Sequence, residues 1–101
     1  MKQLRIYTLK DKASAVEYFR QCWPKHRVSL LKFGIEVDNV FLGGNDQQNQ
    51  VMAVVTLPEG CHVQHLNEQY MRSQAFRDDM AGFPVANIIR VEEICISETL
   101  F

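Results

Sequence analysis

A run of apolar residues from Val51 to Val55 most limits how this chain can fold. The run has the length of a β-strand and falls far short of the roughly 20 residues that cross a bilayer. Because side chains alternate between the two faces of a strand, Val51, Ala53 and Val55 point to one side, and Met52 and Val54 to the other. Both faces of this strand are apolar, so both faces of its sheet need to be covered.

The pattern along the rest of the chain predicts the element order β-α-β-β-α-β. Leu4–Leu9 reads as the first strand, Ile35–Leu42 and Val51–Leu57 as a hairpin, and Asn87–Ser97 as the last strand. This order is the ferredoxin-like arrangement, an α+β fold in which two helices lie on one face of a four-stranded antiparallel sheet. The 101 residues correspond to a single domain, 1–101.

Two segments have helical spacing. The first begins at Asp11, a suitable N-cap, and ends at Gly34, while Pro24 within it is expected to kink or divide the helix. Its apolar stripe consists of Val16, Phe19, Trp23, His26, Leu30 and Phe33. The second segment carries Val63, Leu66, Tyr70 and Met71. A further short helix is expected between Ser73 and Gly82.

The helices predicted here can cover only one face of the sheet. The chain has no further element for the other face. Depending on the register of the strand, either Met52 or the pair Val51 and Val55 would meet water there. Such an apolar patch is larger than monomers usually expose. We therefore expect a homodimer in which the two sheets pack face to face about a two-fold axis.

Five local signatures follow the same order as in a known family. They are Leu4-Arg5-Ile6-Tyr7-Thr8-Leu9, Leu30-Leu31-Lys32-Phe33-Gly34-Ile35, Phe41-Leu42, Ser73-Gln74-Ala75-Phe76 and Val91-Glu92-Glu93. Over nearly its whole length the chain resembles the NIPSNAP family, within the dimeric α+β barrel superfamily. The resemblance implies two copies packed into a barrel, with a pocket on each protomer between sheet and helices. The superfamily includes cofactor-free monooxygenases, haem-binding and haem-degrading enzymes, stress-response proteins and members without an established activity, and NIPSNAP-like proteins belong mostly to the last group.

Trp23 and His26 are the first candidate functional residues. They lie three positions apart on the inward stripe of the first helix, so their side chains can meet beside the break at Pro24. An imidazole next to a large flat ring suits binding of a planar ligand or transfer of a proton. The alternative is ordinary core packing, with His26 bonded to a carbonyl group.

Strand alternation suggests a second candidate group. If Leu4 and Ile6 of the first strand and Ile89 and Val91 of the last face the helices, the residues between them face the opposite way. That rule would place Arg5, Tyr7, Arg90 and Glu92 together on one sheet surface. Arginine would there anchor a carboxylate or an enolate, with tyrosine as donor. The alternative is an ion-pair network across the dimer interface.

Metal and cofactor motifs are absent from the sequence. The group Cys61, His62, His65 and Glu68 lacks a paired-ligand motif, so we interpret it as solvated histidines beside a free thiol. Cys22 and Cys95 are interpreted as small hydrophobic residues. No dinucleotide-binding, Walker or nucleophile-elbow motif occurs. We therefore expect neither a metal nor a cofactor.

Charge and cysteine content limit the location and the partners. A net charge of −1 favours neither a nucleic acid nor an anionic membrane as partner. Three widely spaced cysteines and an N-terminus without a signal-like apolar stretch predict a cytoplasmic protein with reduced thiols.

The expected function is the binding of a small organic molecule between sheet and helices. One alternative is a cofactor-free monooxygenase or isomerase acting on an aromatic or enolisable compound, with His26 as base and Trp23 or Tyr7 orienting the ring. A second alternative is haem binding through His26. The sequence leaves open whether the protein is an enzyme.

Overall fold

The computed structural model describes residues 1–101 and confirms the ferredoxin-like α+β arrangement. The strands are β1 (Lys2–Leu9), β2 (Glu36–Leu42), β3 (Gln50–Thr56) and β4 (Ile88–Ile96). They form one antiparallel sheet in the order β2-β3-β1-β4. The helices are α1 (Lys12–Glu17), α2 (Trp23–Leu31), α3 (Val63–Met71) and α4 (Gln74–Asp79), with 3-10 turns at Asn45–Gln47 and Val85–Asn87. None of these helices is long and apolar enough to span a membrane.

Pro24 divides the first helical segment, as its position predicted. Asp11 caps α1 by accepting a hydrogen bond from the Ser14 backbone N–H over 2.8 Å. A π-helical segment, Tyr18–Cys22, then separates α1 from α2. Proline has no N–H to donate, and its ring clashes with the carbonyl group four residues earlier. The wider π segment ends at Cys22, and Trp23 then begins α2 one residue before Pro24.

Glycine and serine set the ends of the other helical segments. Gly34 follows α2 with a φ of +81°, a left-handed conformation that glycine adopts without strain. The Ser73 hydroxyl caps α4 by accepting from the Phe76 backbone N–H over 3.2 Å. α2 and α4 pack against each other on the same side of the sheet.

The hydrophobic core lies between the sheet and the helices. Val51, Ala53 and Val55 of β3 are fully buried on this side, together with Leu9 and Ile35. Met52 and Val54, on the other face of β3, remain half-buried. The helices cover one face of the sheet, and the second face has no covering element within the chain.

The predicted orientation of β1 is wrong. The register places Arg5 opposite Ala53 and Tyr7 opposite Val51, and both partners are buried beneath the helices. Arg5 and Tyr7 therefore face the helices, whereas Leu4 and Ile6 face the uncovered side. The physical reason is that the even-numbered and the odd-numbered residues of β1 both include side chains suited to burial. Leu9, which is 0% exposed, belongs to the odd-numbered set and carries Arg5 and Tyr7 inward with it.

The prediction for β4 holds only in part. Val91 faces the helices opposite Tyr7, and Arg90 and Glu92 face away from them. Ile89 lies at a β-bulge, where the register with β1 shifts between Thr8 and Leu9, and it is exposed. Arg90 and Glu92 pair with each other over 3.2 Å in solvent. The four polar candidates consequently do not share one sheet surface.

Candidate functional site

A cavity of about 430 Å³ lies between the helix-facing side of the sheet and the helices. Eleven of its fifteen lining residues are hydrophobic, and its size is typical of small-molecule sites. Four sequence-predicted candidates line it: Arg5, Tyr7, Trp23 and His26. Arg90 and Glu92 lie on the other face of the sheet and do not reach it. Glu93, one residue along β4, lines the cavity instead.

A second, more open groove of about 530 Å³ lies between the π-helical segment and β2. Trp23 and Pro24 form part of its wall, and Arg20 and Arg27 lie exposed at its edge. Five of its nine lining residues are exposed to water, and four of these five are polar. The first cavity is therefore the stronger candidate, because it combines an apolar enclosure with a few buried polar groups.

Aromatic rings form the wall of the cavity where α2 begins. The Trp23 ring packs edge to face against Tyr7 and His26, with centroids 5.5 and 5.1 Å apart. His26 is also stacked on Phe76 at 6.2 Å. Trp23 is only 3% exposed, and its indole Nε1 has no hydrogen-bond partner in the chain. This N–H is enclosed by the protein, where an unpaired donor is unfavourable.

His26 takes part in a buried hydrogen-bond chain with Tyr70 and Asp79. The Tyr70 hydroxyl contacts the Nδ1 atom of His26 and lies 2.6 Å from the Asp79 carboxylate. All three residues are at most 6% exposed. If the hydroxyl donates to Asp79, it must accept from His26, and the proton of a neutral imidazole then resides on Nδ1. The second ring nitrogen, Nε2, makes no hydrogen bond and retains its lone pair.

Burial controls the protonation of these residues. Burial lowers the pKa of His26 below its ordinary value near 6.5, although the nearby Asp79 carboxylate opposes this shift. Burial, reinforced by the Asp79 carboxylate, raises the pKa of Tyr70. At neutral pH His26 is therefore uncharged and Tyr70 keeps its proton. An uncharged imidazole with a free nitrogen is able to accept a proton.

Arg5 is the buried positive charge of the cavity. Its Nε donates to Gln3 Oε1 and its Nη2 donates to Asn67 Oδ1 of α3, each over 2.8 Å. Gln3 also donates through Nε2 to Glu93 over 3.3 Å, so an amide separates the two charges. Beside Arg5, burial raises the pKa of Tyr7, and the neutral phenol is retained. Arg5 and Tyr7 thus supply donors to the cavity.

Tyr70, Asp79 and Asn67 were not among the sequence-predicted site residues. Tyr70 was assigned to the apolar stripe of α3, and its hydroxyl gave no sign of a partner. The available signal was Asp79, which lies three residues after Phe76 in a helix expected to pack on the core. An acid at an inward helical position needs a buried partner.

The cysteines and the other histidines lie apart from this site. Nowhere in the chain do three His, Cys, Asp or Glu side chains converge in a way that could hold a metal ion. Burial raises the pKa of the Cys22 thiol to about 11, which keeps it protonated and unreactive at neutral pH. Cys61 is half-buried and Cys95 is exposed.

Comparison with solved structures identifies the fold. A NIPSNAP domain protein from Burkholderia xenovorans superposes with a TM-score of 0.73 at 10% identity, covering 99% of this chain and 95% of that one. The chain has the fold of a NIPSNAP domain. A NIPSNAP-like domain protein from the same organism gives a TM-score of 0.63 at 13% identity, covering 98% of this chain and 87% of that one.

A third solved structure of similar fold belongs to a protein of another kind. It is a putative transposase from Deinococcus radiodurans, with a TM-score of 0.63 at 12% identity, covering 97% of this chain and 80% of that one. No protein-family model matches the chain, and no curated protein matches it significantly. At identities this low the structural matches establish the fold alone, so the function has to be inferred from the cavity.

Proposed function

We propose that this protein is a NIPSNAP-like binding protein for a small, flat organic molecule, which occupies the cavity between sheet and helices. The observation that carries the proposal is a cavity of about 430 Å³ whose mainly hydrophobic wall also holds the buried polar side chains of Arg5 and His26. The edge-to-face rings of Tyr7, Trp23 and His26 along this wall would enclose an aromatic or conjugated body.

Ligand-observed saturation-transfer NMR tests the proposal with a panel of three carboxylic acids and their amides. The acids are benzoic, 2-naphthoic and biphenyl-4-carboxylic acid. We expect binding of at least the naphthyl or biphenyl compounds, and loss of binding in Val91→Trp, which fills the cavity beside Tyr7. Ile89→Trp, on the same strand but outside the cavity, is the control and should bind normally. Binding that survives Val91→Trp would place the ligand elsewhere and refute the proposal.

A second candidate function is proton abstraction from an enolisable compound without a cofactor. The observation that favours it is the chain His26–Tyr70–Asp79, which holds the imidazole with Nε2 free. Nε2 would take a proton from the carbon next to a carbonyl group, and the C–H electron pair would form the enolate. Exchange of the benzylic protons of phenylpyruvate with D₂O, followed by NMR, tests this candidate. Exchange at the same rate with wild type and His26→Gln would eliminate it.

The haem-binding alternative stays an untested prediction. His26 is the only histidine at the cavity, and it is 3% exposed behind Tyr70 and Phe76. A haemin titration followed through the Soret band decides it independently of the two functions above.

We further propose that the uncovered sheet face binds a second copy of the chain. This face carries Leu4 and Ile6 of β1, Met52 and Val54 of β3, and the half-exposed Ile94 of β4. These side chains adjoin one another across three strands, and burying the apolar area that they still expose is worth about 25 cal/mol per Å². Arg90 and Glu92 would lie in that interface, whereas Arg5 and Tyr7 would remain in the cavity of each protomer.

A further inference from the structure

Arg5 has no acid in contact with it, although it is only 5% exposed. Both of its hydrogen-bond partners, Gln3 and Asn67, are neutral amides. The ion pairs of the chain at neutral pH are Lys2–Asp38 and Arg90–Glu92, and neither involves Arg5. Removing a guanidinium from water without a counter-ion is costly. A buried Arg5 without a counter-ion can therefore bind an anion that enters the cavity from solution.

The guanidinium has donors to spare. Arginine carries five N–H groups in a planar fork, and the hydrogen bonds to Gln3 and Asn67 use two of them. The unmet polar groups are therefore donors, which favours a ligand rich in acceptors.

Glu93 limits the charge of that ligand. It lies directly opposite Arg5 across β1 and β4, lines the cavity and is exposed at its mouth. Its carboxylate is bound to Gln3 rather than to Arg5. One cation with an anion nearby fits a ligand with a single negative charge better than a phosphate with two charges.

We propose that the cavity binds an aromatic or conjugated monocarboxylic acid, with its carboxylate on Arg5 and its flat apolar body against Tyr7 and Trp23. This inference rests on the proposed binding function and specifies the chemical class of its ligand. A carboxylate accepts two parallel hydrogen bonds from a guanidinium, which fixes its orientation as well as its charge. The rings of Tyr7 and Trp23, in contact at 5.5 Å, continue the wall from Arg5 toward His26.

Matched acid and amide probes test the inference. Dissociation constants of 2-naphthoate and 2-naphthamide, and of biphenyl-4-carboxylate and its amide, are measured by calorimetry at one salt concentration. The probes in each pair have nearly the same shape and differ in charge. We expect the acid to bind wild-type protein at least about tenfold more tightly than its amide, because hydrogen bonds to charged groups are stronger.

Three variants test which residue causes the preference for the acid over its amide. Arg5→Gln is expected to abolish the preference for the acid while leaving amide binding within about twofold. Because Arg5 is buried, Arg5→Gln risks misfolding. Substitution of the exposed Glu93 by Gln therefore serves as an independent test. Glu93→Gln is expected to tighten acid binding about two- to fivefold, since it removes a like charge. Arg90→Gln, on the opposite face of the sheet, removes a positive charge as control and should change neither constant.

The outcomes separate this inference from the proposed function. Equal affinity of acid and amide for wild-type protein overturns the acidic ligand but leaves small-molecule binding intact. A preference that Arg5→Gln retains, or that Arg90→Gln abolishes, overturns the assignment to Arg5. Absence of binding by all four probes overturns both the inference and the proposed function.

Discussion

The Tyr70 hydroxyl lies 2.6 Å from the Asp79 carboxylate and joins α3 to α4 inside the protein. The same hydroxyl contacts His26 of α2, so one phenol connects the three helices that enclose the cavity. The group that orients the imidazole therefore also holds the cavity wall together.

Tyr70→Phe should destabilise the protein by about 1–3 kcal/mol. The substitution keeps the ring but leaves the Asp79 carboxylate, 6% exposed, without its main donor. Urea unfolding measures the change, with Tyr18→Phe as control because that buried hydroxyl meets no carboxylate. Equal midpoints for wild type and Tyr70→Phe would show that the hydroxyl contributes nothing to stability.

Stability should also depend on pH through His26. Burial lowers the pKa of His26 in the folded state, so between the ordinary value near 6.5 and the lower folded value the unfolded chain binds more protons. The free energy of unfolding consequently falls as the pH drops below about 6.5, and above that pH this group adds no pH dependence. Chemical unfolding of wild type and His26→Gln from pH 7.5 to 5 measures the contribution of His26 to this pH dependence. The same dependence of the free energy of unfolding on pH in both proteins would contradict the prediction.

The proposed dimer predicts that Leu4→Lys produces a monomer. Leu4 lies between Val54 and Ile94 on the uncovered face of the sheet, and a lysine there would place two like charges across a two-fold interface. Light scattering at micromolar concentration should give twice 11.7 kDa for the wild type and 11.7 kDa for Leu4→Lys. Val28→Lys, on the 63% exposed outer side of α2, is the matched control and should remain dimeric. A wild-type mass of 11.7 kDa would refute the dimer.

Local chemistry explains why the fold could be predicted from the sequence. Asp11, Pro24, Gly34 and Ser73 each act within a few residues of the chain, and each acts as expected. The ferredoxin-like order of elements follows from such signals and from the change between strand and helix periodicity.

The face of β1 could not be predicted in this way. Leu4 and Ile6 are as suitable for burial as Tyr7 and Leu9, and the choice depends on pairing with β3, a contact between distant parts of the chain. Arg5 is tolerated inside because Gln3 and Asn67 accept hydrogen bonds from two of its N–H groups. The sequence identified Trp23 and His26 from helical spacing, but Tyr70, the hydrogen-bond partner of His26, lies 44 residues away in the chain.

A crystal structure of the protein with biphenyl-4-carboxylate tests the central claim most directly. The account predicts density for the biphenyl rings against Trp23 and Tyr7, with both carboxylate oxygens within hydrogen-bond distance of Arg5. Density for the acid only on another surface, or in the cavity with its carboxylate turned away from Arg5 into solvent, would contradict it.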